Sequence, residues 1–489
     1  MRSGNRRIMR GSPAGRPAVT MGWHPAGVLT AGEPELRAGK LDAVTGYRLL
    51  GVAGAILVAG TGWAAGALPV ENAGSWRDHA LSAVLFGYCG ITMLVAAWIW
   101  AGRTRERATP RSLLVTLVLW SAPLVAGPPL FSRDVYAYLA QGAMAVAGLD
   151  VYSSGVGSLG GILGAQVPAM WQDTPTPYGP VFVVLAAGIA ALVGSKLIAG
   201  LIGMRLLALA GVVLMTACLP TVARRCGVDP AAALWLGALY PLVPLHLVAG
   251  AHNEAVMLGL LIAGIALALR GRFGFAAVLV TLSALVKAPA VAGLAVVAAL
   301  WWQHLPGRTR HVHAVVRTTV IGAVTCVAVT GATGLGYGWI ASLSTPISPQ
   351  SWSVTSALGR ASRLVLDADG PAVMRFWAWC GLAATLAVAA WSWWRRDRFG
   401  PVTAAGLSLG ALALLGPATR PWYALWGLVL IAAAAPAGRV RRWSAATCGV
   451  LAFAVLPSGF GPDGPQALYA VAGVALACTG LVLLRRLAS

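Results

Sequence analysis

HALSAVLFGYCGITMLVAAWIWA, residues 79–101, contains no Asp, Glu, Lys or Arg and is followed at once by Arg103, Arg105, Arg107 and Arg111. About 20 mainly apolar residues in a helix cross the ~30 Å hydrocarbon core of a bilayer. A basic cluster at the end of such a run marks the cytoplasmic side. Similar apolar runs recur at 46–67, 112–130, 178–194, 197–222, 230–249, 255–269, 274–302, 317–337, 374–394, 400–416, 422–437, 444–460 and 466–484. They are continuous and rich in Leu, Ala and Val, without the alternation of barrel strands, so helices are expected. The reading is an all-α polytopic membrane protein with about 12–15 membrane helices, some partial or re-entrant, and no soluble domain.

Composition agrees. The 489 residues are 58% hydrophobic and 10% charged, against roughly 25% charged in soluble chains. Soluble cores stop growing near ~250–300 residues, so apolar surface on this scale needs lipid around it. The net charge of +21 invites a nucleic-acid reading. The arginines, however, sit in short clusters between apolar runs, as the positive-inside rule expects, and no nucleic-acid partner is expected. Seven cysteines at irregular spacing (89, 218, 226, 326, 380, 448, 478) argue against a disulfide framework or a metal site. Residues 1–45 are rich in Arg, Gly and Pro and read as a disordered cytoplasmic tail, leaving 46–485 as the membrane domain.

The other basic clusters lie at Arg224/Arg225, Arg270/Arg272, Arg308/Arg310/Arg317, Arg395/Arg396/Arg398, Arg439/Arg441/Arg442 and Arg485/Arg486. They leave 131–177 and 338–373 as large external loops. Simple alternation breaks twice. Segments 178–194 and 197–222 must together go from outside to inside, so one is partial or lies along the membrane. Segment 274–302 must begin and end inside, with Lys287 and Pro289 at its middle. It reads as a re-entrant pair of short helices with Lys287 in a cavity, or as one long span with a snorkelling lysine.

The fifteen acidic residues avoid the middle of every predicted span, unlike the buried acid relays of proton-coupled carriers. Asp134, Asp150, Asp173, Glu254, Asp367 and Asp369 fall on the outer side. Asp134, in Phe131-Ser132-Arg133-Asp134-Val135-Tyr136-Ala137-Tyr138, reads as a general base for a sugar hydroxyl or as an interface anchor paired with Arg133. In Trp171-Gln172-Asp173-Thr174-Pro175-Thr176-Pro177-Tyr178 the prolines force a shaped loop, and Trp171 and Tyr178 could stack on a sugar or simply begin a helix. His252-Asn253-Glu254 sits at an outward turn and suits a hydroxylated or phosphorylated ligand, where a lone histidine would more often be a structural hydrogen-bonder. Arg420-Pro421-Trp422-Tyr423 is a second such turn, where an external arginine suits phosphate or a lipid headgroup.

Taken in order, Phe131-Ser132-Arg133-Asp134-Val135-Tyr136, Gly148-Leu149-Asp150-Val151-Tyr152, Pro177-Tyr178-Gly179-Pro180, His252-Asn253-Glu254, Leu285-Val286-Lys287-Ala288-Pro289 and Arg420-Pro421-Trp422-Tyr423 resemble the actinobacterial polyprenyl-phosphate-mannose-dependent alpha-1,6-mannosyltransferases of GT-C fold. The chain departs from that pattern at Glu254, where the family has Asp, and at Val151, where it has Pro.

The resemblance implies an inverting hexosyltransferase of the plasma membrane with its active site on the outer side. It would move mannose from polyprenyl-phosphate-mannose to a lipid-anchored mannan acceptor in lipomannan and lipoarabinomannan synthesis. The family's catalytic acid maps onto Asp134. Joined to the reading of the residues, this makes Lys287, Arg133 and Arg420 the expected donor phosphate contacts. Tyr136, Trp171, Tyr178, His252, Asn253, Glu254, Trp422 and Tyr423 are the expected sugar contacts. No cofactor and no metal are expected. Alternatives are a GT-C transferase of another lipid-linked sugar such as arabinofuranose, a transporter or flippase of lipid-linked sugars, or a scaffold.

Overall fold

The computed structural model describes residues 42–69, 78–104, 108–344, 353–365, 370–461 and 463–488. Most of the expected N-terminal tail lies outside these residues, as do Arg105, Arg107, Asp367 and Asp369. Among the described residues there is no strand. The helices are α1 (Ala43–Ala65), α2 (Ala80–Arg103), α3 (Pro110–Ala126), α4 (Asp134–Val146), α5 (Gly161–Ala165), α6 (Pro180–Val193), α7 (Leu197–Arg225), α8 (Pro230–Gly237), α9 (Glu254–Ala268), α10 (Phe273–Ala284), α11 (Ala292–Trp302), α12 (Arg310–Thr333), α13 (Val354–Val365), α14 (Gly370–Trp394), α15 (Arg396–Phe399), α16 (Pro401–Leu415), α17 (Ala424–Ala434), α18 (Arg439–Leu451) and α19 (Gly464–Ala488).

Six of them, α1, α2, α7, α12, α14 and α19, are long and apolar enough to cross a membrane. A seventh apolar unit is broken. A π-helical turn at Val243–Ala249 meets α9 at 112°, and the break holds His252 and Asn253. The shorter apolar helices α3, α6, α10, α11, α16 and α17 complete an all-α polytopic membrane protein.

Both expected irregularities are present. Helix α6 is short beside the long α7. Segment 274–302 is two helices, α10 and α11, with Lys287 between them. A β-carbon added to Gly293 would lie 2.9 Å from Val280 Cγ1, so the arms fold back on each other as a hairpin. Pro289 cannot continue α10.

Small residues let backbones approach where no hydrophobic force drives helices together in lipid. Helices α1 and α2 meet at Gly54 and Gly90, α7 and α9 at Gly211 and Gly259, and α16 and α17 at Gly406 and Gly427. In each pair an added β-carbon would come within 2.7 Å of the partner's carbonyl oxygen. Helices α2 and α8 are stapled by Trp98 and Trp235. Their rings stack 4.7 Å apart, and each indole N–H donates to the other's carbonyl, at 3.0 and 2.9 Å. Helix α17 is buried along its whole length, while α12, α14 and α19 expose Val320, Trp379 and Leu468 on the outside of the bundle.

The second large loop contains a helix with an inverted pattern. On α13, Thr355, Ser356 and Gly359 are buried, and Val354, Leu358 and Leu364 are exposed. The polar side packs on α14, where the Trp377 indole donates to Ser362 Oγ at 2.9 Å. Phe376 and Trp379 of α14 are exposed as well.

Candidate functional site

The extended segment between α3 and α4 builds the site. Arg205, from α7, donates to the carbonyls of Val125, Gly127 and Ala249 at 2.8, 2.7 and 3.1 Å. It thereby ties the end of α3 to the π-helical turn. The Leu130 N–H donates to the Ala249 carbonyl, and the Phe131 N–H to the Pro457 carbonyl at 2.8 Å. Phe131 is held at φ 64° and Ala251 at φ 51°, the two positive-φ residues other than glycine among those described. Such conformations cost about 1–3 kcal/mol each and persist where surrounding structure over-determines them. One precedes Asp134 by three residues and the other immediately precedes His252.

Asp134 opens α4, where a carboxylate complements the helix dipole, and its N–H donates to Ser132 Oγ at 3.0 Å. Its side chain is 13% exposed. Oδ2 lies 3.3 Å from Nδ1 of His252 and accepts from the Tyr138 hydroxyl at 3.4 Å. Tyr138 stands one helical turn after Asp134, so both share a face of α4. Burial alone raises the Asp134 pKa. The His252 hydrogen bond and the charges of His252 and Lys287 outweigh it and hold the carboxyl below its ordinary value.

Asp134 faces a cavity of about 180 Å³ lined by Ser132, Arg133, Met170, Trp171, Thr419, Arg420, Pro421, Trp422 and residues of the 451–461 segment, including Gly459 and Phe460. Arg420 is partly exposed there; its carbonyl accepts from the Tyr423 N–H at 3.0 Å, and its guanidinium has no hydrogen bond or ion pair among the described residues. Arg133 also borders the cavity but is already engaged. It donates to the Leu68 carbonyl at 2.8 Å and the Gln166 carbonyl at 2.9 Å, and lies 4.8 Å over the Tyr136 ring. Trp171 and Trp422 supply aromatic walls.

The remaining predicted residues lie behind those walls. His252, Asn253 and Glu254 are 0%, 1% and 0% exposed. They reach the cavity through Asp134 and Trp422 rather than by their own surface. The His252 ring stacks on Trp422 with centroids 3.9 Å apart. Glu254 pairs with Lys287, whose ammonium also sits 4.4 Å over Tyr423, 5.5 Å over Tyr178 and 5.7 Å over Trp426. A buried ammonium is stable only when paired and surrounded in this way. Tyr178 packs edge-on to Tyr138 and Phe182. The buried Tyr136 donates its hydroxyl proton to the Ala67 carbonyl at 2.6 Å, bracing the segment that carries Asp134. Asp150 caps a turn, accepting from the Tyr152 N–H and the Ser153 hydroxyl, which keeps its pKa below the ordinary value. Asp173 is exposed outside the cavity lining.

Several contributors were not singled out from sequence. Tyr138 could have been, from its position one turn after Asp134. His246, 5.2 Å from Trp422 and 5.3 Å from Phe131, and the 451–461 wall carry no local signal. Among the described residues no group of three or more His, Cys, Asp or Glu is placed to hold a metal ion.

The family described as alpha-(1->6)-mannopyranosyltransferase, N-terminal domain, matches residues 48–303, and the MptB C-terminal domain matches 354–485. The Asp134 cavity takes its walls from both matched segments. A probable alpha-(1->6)-mannopyranosyltransferase of Mycolicibacterium smegmatis is 36% identical, over 79% of this chain and 78% of that protein. Alpha-(1->6)-mannopyranosyltransferase A of Mycobacterium tuberculosis is 34% identical, over 86% and 85%. Alpha-(1->6)-mannopyranosyltransferase B of Corynebacterium glutamicum is 31% identical, over 87% and 78%. No solved structure matches the chain. The length of these matches, and the family segments on either side of the cavity, place the chain in the alpha-(1->6)-mannopyranosyltransferase family.

Proposed function

We propose that the protein is an inverting alpha-1,6-mannosyltransferase of the plasma membrane, working at its outer face. Its donor is polyprenyl-phosphate-mannose and its acceptor a lipid-anchored mannan, the chemistry of lipomannan and lipoarabinomannan backbone synthesis on a GT-C fold. One observation carries the reading: an anionic carboxylate, Asp134, and a guanidinium without a hydrogen bond or ion pair among the described residues, Arg420, line the same small aromatic-walled cavity.

In this mechanism the acceptor's O6 attacks the anomeric carbon from the face opposite the phosphate. The O6–C1 bond forms as the bond from C1 to the phosphate oxygen breaks, and that electron pair leaves on the phosphate. The O6 proton passes to Asp134. General-base assistance of this kind contributes about 10²–10⁴-fold. Arg420 stabilises the charge that develops on the leaving phosphate, where a preorganised donor does most for the transition state. Arg133 is a second phosphate contact at the cavity edge. Lys287, already paired with Glu254, supports the site through Tyr423 and Trp426. Trp171 and Trp422 hold the sugars. The names of the relatives support the mannosyl group and the linkage.

The test is transfer by purified protein from synthetic polyprenyl-phosphate-mannose to a short alpha-1,6-dimannoside, with polyprenyl-phosphate-arabinofuranose in parallel. An alpha-1,6-linked trimannoside from the first donor alone supports the reading. Pentose transfer without mannose transfer, or no transfer with either donor, overturns it.

A further inference from the structure

We infer that His252 is the positioning residue for Asp134, fixing by its Nδ1 which carboxylate oxygen is left to receive the acceptor's proton. This rests on the reading of Asp134 as the base and assigns His252 a role other than contact with sugar. The ring has no exposed surface, so it touches no ligand in the cavity. Its Nδ1 lies 3.3 Å from Asp134 Oδ2 and 3.5 Å from the Tyr138 hydroxyl. His252 Nδ1 and the Tyr138 hydroxyl therefore converge on Oδ2, with the Ser132 hydroxyl also against the carboxylate. A carboxylate restrained through one oxygen presents the other in a fixed direction. Positioning of this kind matters because a misplacement of ~1 Å can cost about 10²-fold in rate.

The ring itself is tightly fixed. Trp422 covers one face at 3.9 Å, and a β-carbon on Gly250 would fall 2.9 Å from the ring's Cδ2. The His252 N–H donates to the His246 carbonyl at 3.3 Å, and the left-handed Ala251 just before it sets the turn. Nε2 is buried without a hydrogen-bond partner among the described residues. Nδ1 is thus the nitrogen with a function, and it donates its proton to the carboxylate.

Substitution can separate a donor at Nδ1 from a ring that merely fills space. The asparagine amide nitrogen falls near the Nδ1 position and the glutamine amide nitrogen near Nε2. We expect His252→Phe and His252→Gln to lower kcat about 30-fold or more, with KM for donor and acceptor within about twofold, and His252→Asn to recover most of the loss. Thermal unfolding identifies any variant that fails to fold. The Asn–Gln comparison stands even if His252→Phe does not fold, because both replacements are small amides. His252→Asn as impaired as His252→Gln, or a loss confined to KM, overturns the proposal. Asp134→Ala is assayed alongside. If it abolishes transfer while His252→Phe and His252→Gln keep full kcat, only the positioning role fails. If Asp134→Ala keeps full transfer, the base reading fails and the positioning role with it.

Discussion

Gly459 rests directly against Ser132: a β-carbon built on Gly459 would lie 2.7 Å from the Ser132 Cα. The contact joins the turn between α18 and α19 to the segment that carries Asp134, across more than three hundred residues of chain. Gly459 also has φ 93°, a conformation that costs a side-chain-bearing residue about 1–2 kcal/mol.

Gly459→Ala is therefore expected to push Ser132 and Asp134 out of place. The predicted result is a fall in kcat of about tenfold or more, together with a lower melting temperature. Ala454→Gly, on the same wall, is expected to leave the rate within about twofold. Steady-state kinetics and thermal unfolding of the two variants check this.

The Arg420 guanidinium has no hydrogen bond or ion pair among the described residues, and its removal should register at the donor. Arg420→Ala is expected to lower kcat/KM for the lipid-linked donor by about 10²-fold, the scale of losing one charged transition-state contact. Arg420→Lys should recover part of this, because lysine keeps the charge but not the bidentate fork. Acceptor KM measured at saturating donor should barely change.

Lys287 and Glu254 form a buried pair between the α10–α11 hairpin and the start of α9. Removing one partner of such a pair typically costs about 3–5 kcal/mol, because the other charge is left alone in a dry site. Lys287→Met and Glu254→Leu should each lower the melting temperature markedly, and the double variant should lose less than the sum of the two. A double-mutant cycle by thermal unfolding measures the coupling. Additive losses would mean that the two groups act independently.

Helix α13 turns Val354, Leu358 and Leu364 outward and its hydroxyl groups inward. In a bilayer this exposed side should touch lipid chains, as should the exposed Phe376 and Trp379 of α14. Protein in nanodiscs containing a lipid with a diazirine in its acyl chain should acquire adducts on the peptide holding Leu358 and Leu364. Adducts on α14 with none on α13 would show that the face meets something else.

Much of this architecture was legible in the sequence, for reasons local to the chain. Apolar runs and arginine clusters give the spans. The α10–α11 break could be read because Lys287 and Pro289 interrupt an apolar run. Asp134 and Arg420 stood out as charged groups beside aromatics on the outer side, and both line the cavity. The deeper arrangement was not legible, because it depends on contacts between distant segments. His252-Asn253-Glu254 looks like an exposed polar turn. Only the packing of the π-helical turn against Phe131 and Trp422 places it behind the wall. The 338–373 stretch read as an external loop. The spacing of Val354, Leu358, Ala361 and Leu364 is helical, but which side of such a helix faces the protein is decided by α14. The 451–461 wall has no chemical signature, since its part is to meet Ser132 and Phe131.

The most direct test of the central claim is transfer from polyprenyl-phosphate-mannose by Asp134→Asn, which keeps the shape of the side chain and the contacts to Oδ2 but removes the proton acceptor. The account predicts a loss of about 10²–10⁴-fold in kcat with donor binding and melting temperature close to wild type. Transfer at near wild-type rate by a folded Asp134→Asn protein would contradict it and move the base elsewhere in the cavity.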